Sequence, residues 1–567
     1  MKRRIAWGVA AAAVVLTAAA CSSASGSSAG TSGTGASQGK PLTIVSTELS
    51  PMTDNFNPYS QTGTGYETHA ADLYNQPLMV FNTQQPGAAP TPELALSYSW
   101  SPDGKTLTVT TRSGVKWSDG KAFSAADVAF TFNLIKKYPA LNTPATPIPA
   151  SAASSGNTAV LTFSEPEVAN LYYILQTQIV PEHIWASVAS PVTYTDPNPV
   201  GTGPYVLDKF SPQGFTMKAN PDYYAASSLH VPEVDFPAYT SNANLLEPVA
   251  DGTIDWGGIS ITGTQSNYLA KNSDNTTWTT SAPYYTDNNV VGLWFNTTKA
   301  PLNDASVRQA ISYAVNREQL SVDGESGNEP ATSSTAGMIL PSQNSYLPSS
   351  LANNLPAAGD SSKVSSILTA DGYKKAGGFW EKNGQKITLS IEDPVSYSDY
   401  YLDSQLIVKQ LNALGFDASV KGDAGPNGPT TWTNDLATGN FSAAIHWGAQ
   451  GLTPYATYDN WMDYTLSAAV GQTASADYGR FNDPAAQAAL RAYAAASSTT
   501  ELKSAITTLA GIEDSQVPVA PLLLGASWAE NSTRDYTGWP TSGNPYQDPG
   551  PNLPEILYTV QQLKPVS

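Results

Sequence analysis

Tyr98-Ser99-Trp100-Ser101-Pro102-Asp103-Gly104-Lys105-Thr106-Leu107-Thr108-Val109 reads as two short strands joined by a tight turn. Ser101-Pro102-Asp103-Gly104 carries turn chemistry, with proline to fix one φ and glycine to allow a positive one. Tyr98 and Trp100 before the turn, and Leu107 and Val109 after it, alternate with polar neighbours as strand residues do. A second turn at Ser118-Asp119-Gly120 follows. Ser124 with Asp127 three residues on is a capping-box pattern, which predicts a short helix through Val128, Phe130 and Phe132. This part of the chain is expected to be β-rich.

Further along, helical periods take over. Asp304 is placed to cap a helix carrying Val307, Ala310, Ile311, Ala314 and Val315 on one face. Leu402, Leu406, Ile407, Leu411 and Leu414 form a second stripe, stopped by Gly415 and followed by the strand-like Phe416 to Val420. Asp483-Pro484 opens a third helix, and Leu502, Ile506, Leu509 and Ile512 mark a fourth. Helices alternating with short strands predict an α/β lobe, distinct in character from the β-rich part. No internal repeat is visible.

The first residues read as an export signal. Lys2, Arg3 and Arg4 precede an apolar run from Ile5 to Ala20, and Ala18-Ala19-Ala20 offers the small side chains a signal peptidase accepts. The run is shorter than the roughly 20 apolar residues that cross a bilayer. Cys21, the single cysteine, follows directly. It is read either as a leftover thiol near a terminus or as a lipidated cysteine, and its position and uniqueness favour the second. Leu16-Thr17-Ala18-Ala19-Ala20-Cys21 is similar to a lipobox, with Ala18 where leucine is usual. Residues 22–40 are nearly all Ser, Gly, Ala and Thr, the composition of a flexible tether. The expected arrangement is an exported body anchored to the outer face of the cell membrane.

Over five hundred residues remain for that body, too many for one core. Hydrophobic residues make up 41% and aromatics 10%, which a packed globular protein requires. The net charge of −19 excludes nucleic acid as a partner and argues against an anionic ligand drawn in from a distance. Catalytic signatures are lacking: no His-Glu-x-x-His, no Gly-x-Ser-x-Gly, no phosphate loop and no EF-hand spacing. The histidines His69, His183, His230 and His446 are far apart in sequence, so no metal, cofactor or catalytic residue is expected. Gly201-Thr202-Gly203-Pro204 is read as a tight turn, because its proline ends the run and no lysine follows to hold a phosphate.

A series of short motifs then carries a resemblance. In order they are Pro92-Glu93-Leu94-Ala95, Gly114-Val115-Lys116-Trp117-Ser118-Asp119-Gly120 and Val180-Pro181-Glu182-His183-Ile184-Trp185. Asn198-Pro199-Val200-Gly201-Thr202-Gly203-Pro204-Tyr205, Asn220-Pro221-Asp222-Tyr223-Tyr224 and Gly252-Thr253-Ile254-Asp255 follow. Trp294-Phe295-Asn296, Val307-Arg308-Gln309-Ala310-Ile311 and Asn316-Arg317-Glu318 complete the series. Together they resemble the family 5 extracytoplasmic solute-binding proteins of ABC importers. The resemblance implies an α/β, two-lobed, hinged fold of the type II (cluster C-like) periplasmic-binding-protein kind with an extra β-rich domain. It implies domain I from 41–73, 198–288 and 517–567, domain II from 74–197, and domain III from 289–516. It also implies a non-enzymatic monomer that takes a small-molecule ligand between domains I and III and delivers it to a permease and its ATPase.

The same resemblance bears on the ligand. Where peptide-binding members carry an aspartate that pairs with the ligand's amino terminus, this chain has Gln450, in Ala444-Ile445-His446-Trp447-Gly448-Ala449-Gln450-Gly451. A buried ammonium without a counter-charge is costly, whereas an amide suits hydroxyl groups. The stretches around Tyr455 and Trp461, and from Tyr536 to Tyr546, look like the branch that binds β-linked oligosaccharides. Aromatic faces there would stack on sugar rings or, as tryptophans usually do, fill the core. Trp447 is favoured as a ligand platform by its place beside Gln450. On the opposite wall the ligand-contacting loop corresponds to Thr62 to Tyr66, with Thr64 and Tyr66 as contacts, and Trp256 is a further candidate. The expected ligand is a neutral oligosaccharide, with an oligopeptide as the alternative.

Overall fold

The computed structural model describes residues 39–47, 49–142, 146–425 and 427–566, so the apolar leader and Cys21 lie outside the described residues. The opening hairpin forms as read: Ala95–Trp100 pairs antiparallel with Thr106–Thr111, and Gly104 turns with a φ of +67°. Ser151–Ser155 and Thr158–Thr162 extend it to a four-stranded sheet. Helix Ala125–Lys137 packs on this sheet behind a complete capping box. The Ser124 hydroxyl accepts from the Ala126 N–H at 3.2 Å, and the Asp127 carboxylate accepts from the Ser124 N–H at 2.9 Å. Two of the helix's orphan donors are thereby satisfied within four residues of chain.

Two larger sheets organise the lobes. One has seven strands drawn from distant parts of the chain, with Leu42–Val45 at its centre between Glu233–Pro237 and Trp256–Gly257. The hairpin Tyr205–Ser211 with Gly214–Ala219 extends one side. Glu530–Ser532 and Asn275–Thr276 extend the other. The second sheet has five strands, in the order Asp417–Asp423, Thr388–Pro394, Ala443–Trp447, Thr286–Phe295 and Val519–Ser527. Helices Ala305–Ala314, Ser398–Leu414, Pro484–Ala494 and Thr499–Gln516 belong to this second lobe, as their periods predict. Asp304 and Asp483 cap two of them, and Gly415 stops a third with a φ of +94°.

The chain passes between these sheets twice, through residues 277–285 and 528–529. Both crossings meet at one place, since Thr286 and Ser527 are paired in the five-stranded sheet. The stretch just after residue 516 stays with the five-stranded sheet. Val519–Ser527 pairs with Thr286–Phe295 along most of its length, and only Glu530–Ser532 reaches the seven-stranded sheet. Val519–Ser527 is buried throughout, so it reads as a continuous apolar run with no alternation to reveal which sheet it joins.

The Gly201 motif locks the small β-rich part onto the seven-stranded lobe. Gly203 N–H donates to the Tyr74 carbonyl at 2.8 Å, and the Gly201 carbonyl accepts from Ser118 N–H at 2.9 Å. A Cβ on Gly201 would sit inside the radius of the Tyr74 carbonyl oxygen, and one on Gly203 would overlap the Leu73 carbonyl. Close backbone approach is therefore what requires these glycines. No helix among the described residues is long and apolar enough to cross a membrane.

Candidate functional site

Strand Ala443–Trp447 leaves the buried sheet at its C-terminal end and delivers Trp447 to the surface, where the side chain is 40% exposed. Gly448 follows at a narrow passage, its N–H bonded to the Val290 carbonyl at 2.9 Å. Behind the exposed indole lies a ladder of rings. The Trp447 and His446 centroids are 4.4 Å apart, and His446 stacks on Trp432 at 5.1 Å with only 16° between planes. Burial lowers the His446 pKa to about 4, so the imidazole is neutral at physiological pH and packs as an aromatic.

Trp447 forms part of the wall of a 440 Å³ cavity between the two lobes. Ser46, Glu67, His69, Ser260 and Asn552 line it from the seven-stranded lobe, and Asn288, Asn289, Tyr397 and Asp399 from the other. Two further cavities open beside it, of 420 Å³ toward Gln84, Trp278 and Asp287, and of 310 Å³ toward Tyr66, Tyr172 and Tyr173. Gln450 lines all three. Its amide nitrogen donates to Thr83 Oγ1 at 3.0 Å and to Asp548 Oδ2 at 3.2 Å, so this side chain ties three separate parts of the fold at the point where the cavities meet.

Asp548 is fully buried and already satisfied. It accepts from Gln450, from Gln84 at 2.8 Å, from Gly550 N–H at 3.1 Å and from the Ser527 hydroxyl. Glu67 and Asp287 differ, because among the described residues neither side chain has a hydrogen-bond or ion-pair partner. Burial alone raises each to a pKa of about 7. His69 is engaged, its Nδ1 lying 3.0 Å from Asp72.

The structure brings Trp447 and Gln450 together on the main cavity and puts Tyr66 on an adjoining one. The other sequence candidates stand in packing positions. Tyr455 is 8% exposed and stacks on Tyr493 at 4.1 Å beside a separate cavity. Trp461 is 1% exposed, packed edge-on to Trp294 and against Gly337. Trp256 is fully buried, donates to the Pro549 carbonyl at 3.0 Å and meets Trp539 edge-on. Thr64 is also fully buried and accepts from Thr53 N–H at 2.8 Å. Sequence reading missed Glu67, Asp287 and Asp548, for nothing in their spacing separates them from the other acidic residues. Among the described residues, no group of three or more His, Cys, Asp or Glu is arranged to hold a metal ion.

Known proteins share this architecture. A Thermotoga maritima periplasmic oligopeptide-binding protein of an ABC transporter, solved with mannohexaose bound, superposes with a TM-score of 0.82 at 23% identity, covering 93% of this chain and 99% of its own. The oligopeptide-binding protein AppA of Bacillus subtilis, solved with a nonapeptide, gives a TM-score of 0.74 at 16% identity over 94% of this chain and 100% of its own. In sequence, a peptide-binding ABC transporter protein of Brucella ovis is 29% identical over 276 residues, 47% of this chain and 49% of that protein. The chain thus spans about half the length of the first of its curated relatives. The profile of the bacterial extracellular solute-binding proteins, family 5 (middle), matches residues 89–468, two-thirds of the sequence, and the chain belongs to that family.

Proposed function

We propose that this chain is the ligand-capturing component of an ABC importer, and that it binds a neutral oligosaccharide in the cleft between its lobes and passes it to the permease unchanged. The observation that carries the reading is the exposed Trp447 face, backed by the His446 and Trp432 rings and bordered by amides. A sugar ring presents one apolar face to such a platform and directs its hydroxyls to the rim. The mannohexaose found in the Thermotoga relative supports the same class of ligand.

Isothermal titration of residues 41–567 with manno-, cello- and xylo-oligosaccharides, alongside di- to pentapeptides, tests it. A sugar should bind and be recovered intact. Trp447→Ala should weaken it about 30-fold, the scale of a hot-spot aromatic. Binding of peptides alone would overturn the sugar reading. A peptide ligand is the second reading, favoured by the peptide-binding relatives.

We further infer that Cys21 carries the lipid that holds the body at the membrane. Two acyl chains suffice for stable anchoring, whereas one is marginal. Cys21→Ser should move the protein from the membrane fraction to the medium and abolish labelling by radioactive palmitate. Unchanged membrane association would refute the anchor.

A further inference from the structure

No lysine or arginine lines any of the three cavities that meet at Gln450 among the described residues. The one histidine on them is held by Asp72, and the Gln450 amide nitrogen is spent on Thr83 and Asp548. Among the described residues two carboxyls have no hydrogen-bond or ion-pair partner, Glu67 on the main cavity and Asp287 on the neighbouring one, while Asp399 on the main cavity accepts only from the adjacent Tyr400 N–H at 2.9 Å. They belong to opposite lobes. Thr286–Phe295, which carries Asp287, is a strand of the five-stranded sheet, while Glu67 ends the short helix Thr64–Glu67 on the other side. A half-buried carboxyl without a partner is costly to keep charged, and that cost falls when a ligand supplies a donor or a cation. A ligand carboxylate placed there has the opposite effect, since like charges in a partly desolvated cleft repel strongly.

We propose that Glu67 and Asp287 select the ligand by charge, admitting glycans whose polar groups are hydroxyls or ammoniums and rejecting those that carry carboxylates. This assignment rests on the sugar reading of the cleft and narrows it. It is a local effect, separable from the net charge of −19. The overall field is screened over about 8 Å at physiological salt and over less at higher salt, whereas a contact inside the cleft is screened far less. The double variant removes at most two charges from the total, so its effect reports the contact and not the field.

The experiment is titration at 0.5 M NaCl with mannohexaose, a glucosamine hexamer and a galacturonic acid hexamer, on the native protein and on Glu67→Gln/Asp287→Asn. The uronate is expected to bind at least about tenfold more weakly than mannohexaose, and the glucosamine oligomer at least as tightly. In the double variant the uronate penalty should shrink to within about threefold, while mannohexaose affinity changes less than the uronate's. Uronate binding within threefold of mannohexaose in the native protein would overturn the proposal, as would a penalty that survives both substitutions. Pentapeptides rich in lysine or in glutamate are run on the same proteins. If only peptides bind, and basic ones outcompete acidic ones until Glu67 and Asp287 are neutralised, the sugar reading falls and the charge assignment stands.

Discussion

Replacing Gly201 with alanine is expected to destabilise the protein by at least about 3 kcal/mol, lowering the melting temperature by roughly 3 °C or more or preventing soluble expression. The added methyl would overlap the Tyr74 carbonyl oxygen, an atom of the backbone that no rotamer change can move aside. Tyr74 is itself fixed. Its hydroxyl donates to the Phe56 carbonyl at 2.5 Å, and its carbonyl accepts from Gly203 N–H. Relief of the clash would therefore part the β-rich domain from the seven-stranded lobe and break the Ser118–Gly201 bond. Gly511→Ala is the control. Gly511 lies within helix Thr499–Gln516 with open space around its Cβ position, so alanine there should add up to about 1 kcal/mol. Differential scanning calorimetry separates the two, and a Gly201→Ala melting point within a degree of native would refute the close-approach argument.

The second large effect is on pH. Glu530 is 1% exposed, and burial raises its pKa from 4.5 to about 8. Glu555 is equally buried and is also raised to about 8, and Glu329, Asp403, Asp477 and Glu513 shift in the same direction for the same reason. A raised carboxyl pKa means that the folded state holds a proton the unfolded state has released. The stability this confers is complete below about pH 4.5 and is lost as pH climbs through about 8. Each pKa unit corresponds to about 1.4 kcal/mol, so one such group amounts to a few kcal/mol across that window. The carboxyls shifted downward by lysine, arginine or histidine neighbours, Asp119, Asp435 and Asp535, act in the opposite sense at lower pH and are partly exposed. The melting temperature should therefore fall by more than about 5 °C between pH 5 and pH 8, and Glu530→Gln should flatten part of that slope. Glutamine keeps an oxygen for the Ile259 N–H, which Glu530 binds at 3.2 Å, and removes the titration. A melting temperature that rises over this range, or a slope unchanged in the variant, would contradict the assignment.

What could be read in advance divides by the distance over which it is decided. The Ser101–Gly104 turn, the Ser124–Asp127 capping box and the stop at Gly415 are settled within a few residues by φ preferences and orphan N–H groups, and all three stand in the structure. Sheet membership is settled across hundreds of residues. Two-residue strands such as Asn275–Thr276 and Trp256–Gly257 carry no period of their own, and Val519–Ser527, buried throughout, shows no alternation that would say which sheet it joins. The site shows the same division. The resemblance singled out Trp447 and Gln450, which both line the main cavity, but an indole's type does not say whether it faces a cleft or a core, and Trp461 and Trp256 are buried. Glu67 and Asp287 are distinguished only by having no partner, which is a property of the folded surroundings and not of the residues.

The late position of Val519–Ser527 and Glu530–Ser532 also sets an order of events. A chain that emerges amino end first, from a ribosome or a translocation pore, cannot complete the five-stranded sheet until residue 527 is out, nor the seven-stranded one until residue 532. Before then, Thr286–Phe295 holds only its partner Ala443–Trp447 and exposes a ten-residue edge that is apolar from Val290 to Phe295, while Asn275–Thr276 has no neighbour to pair with. Open edges of that kind recruit strands from other chains. The nascent body thus carries this open edge from the emergence of Phe295 until that of Ser527, and a nonsense mutation after the Phe295 codon and before codon 519 would leave it open permanently.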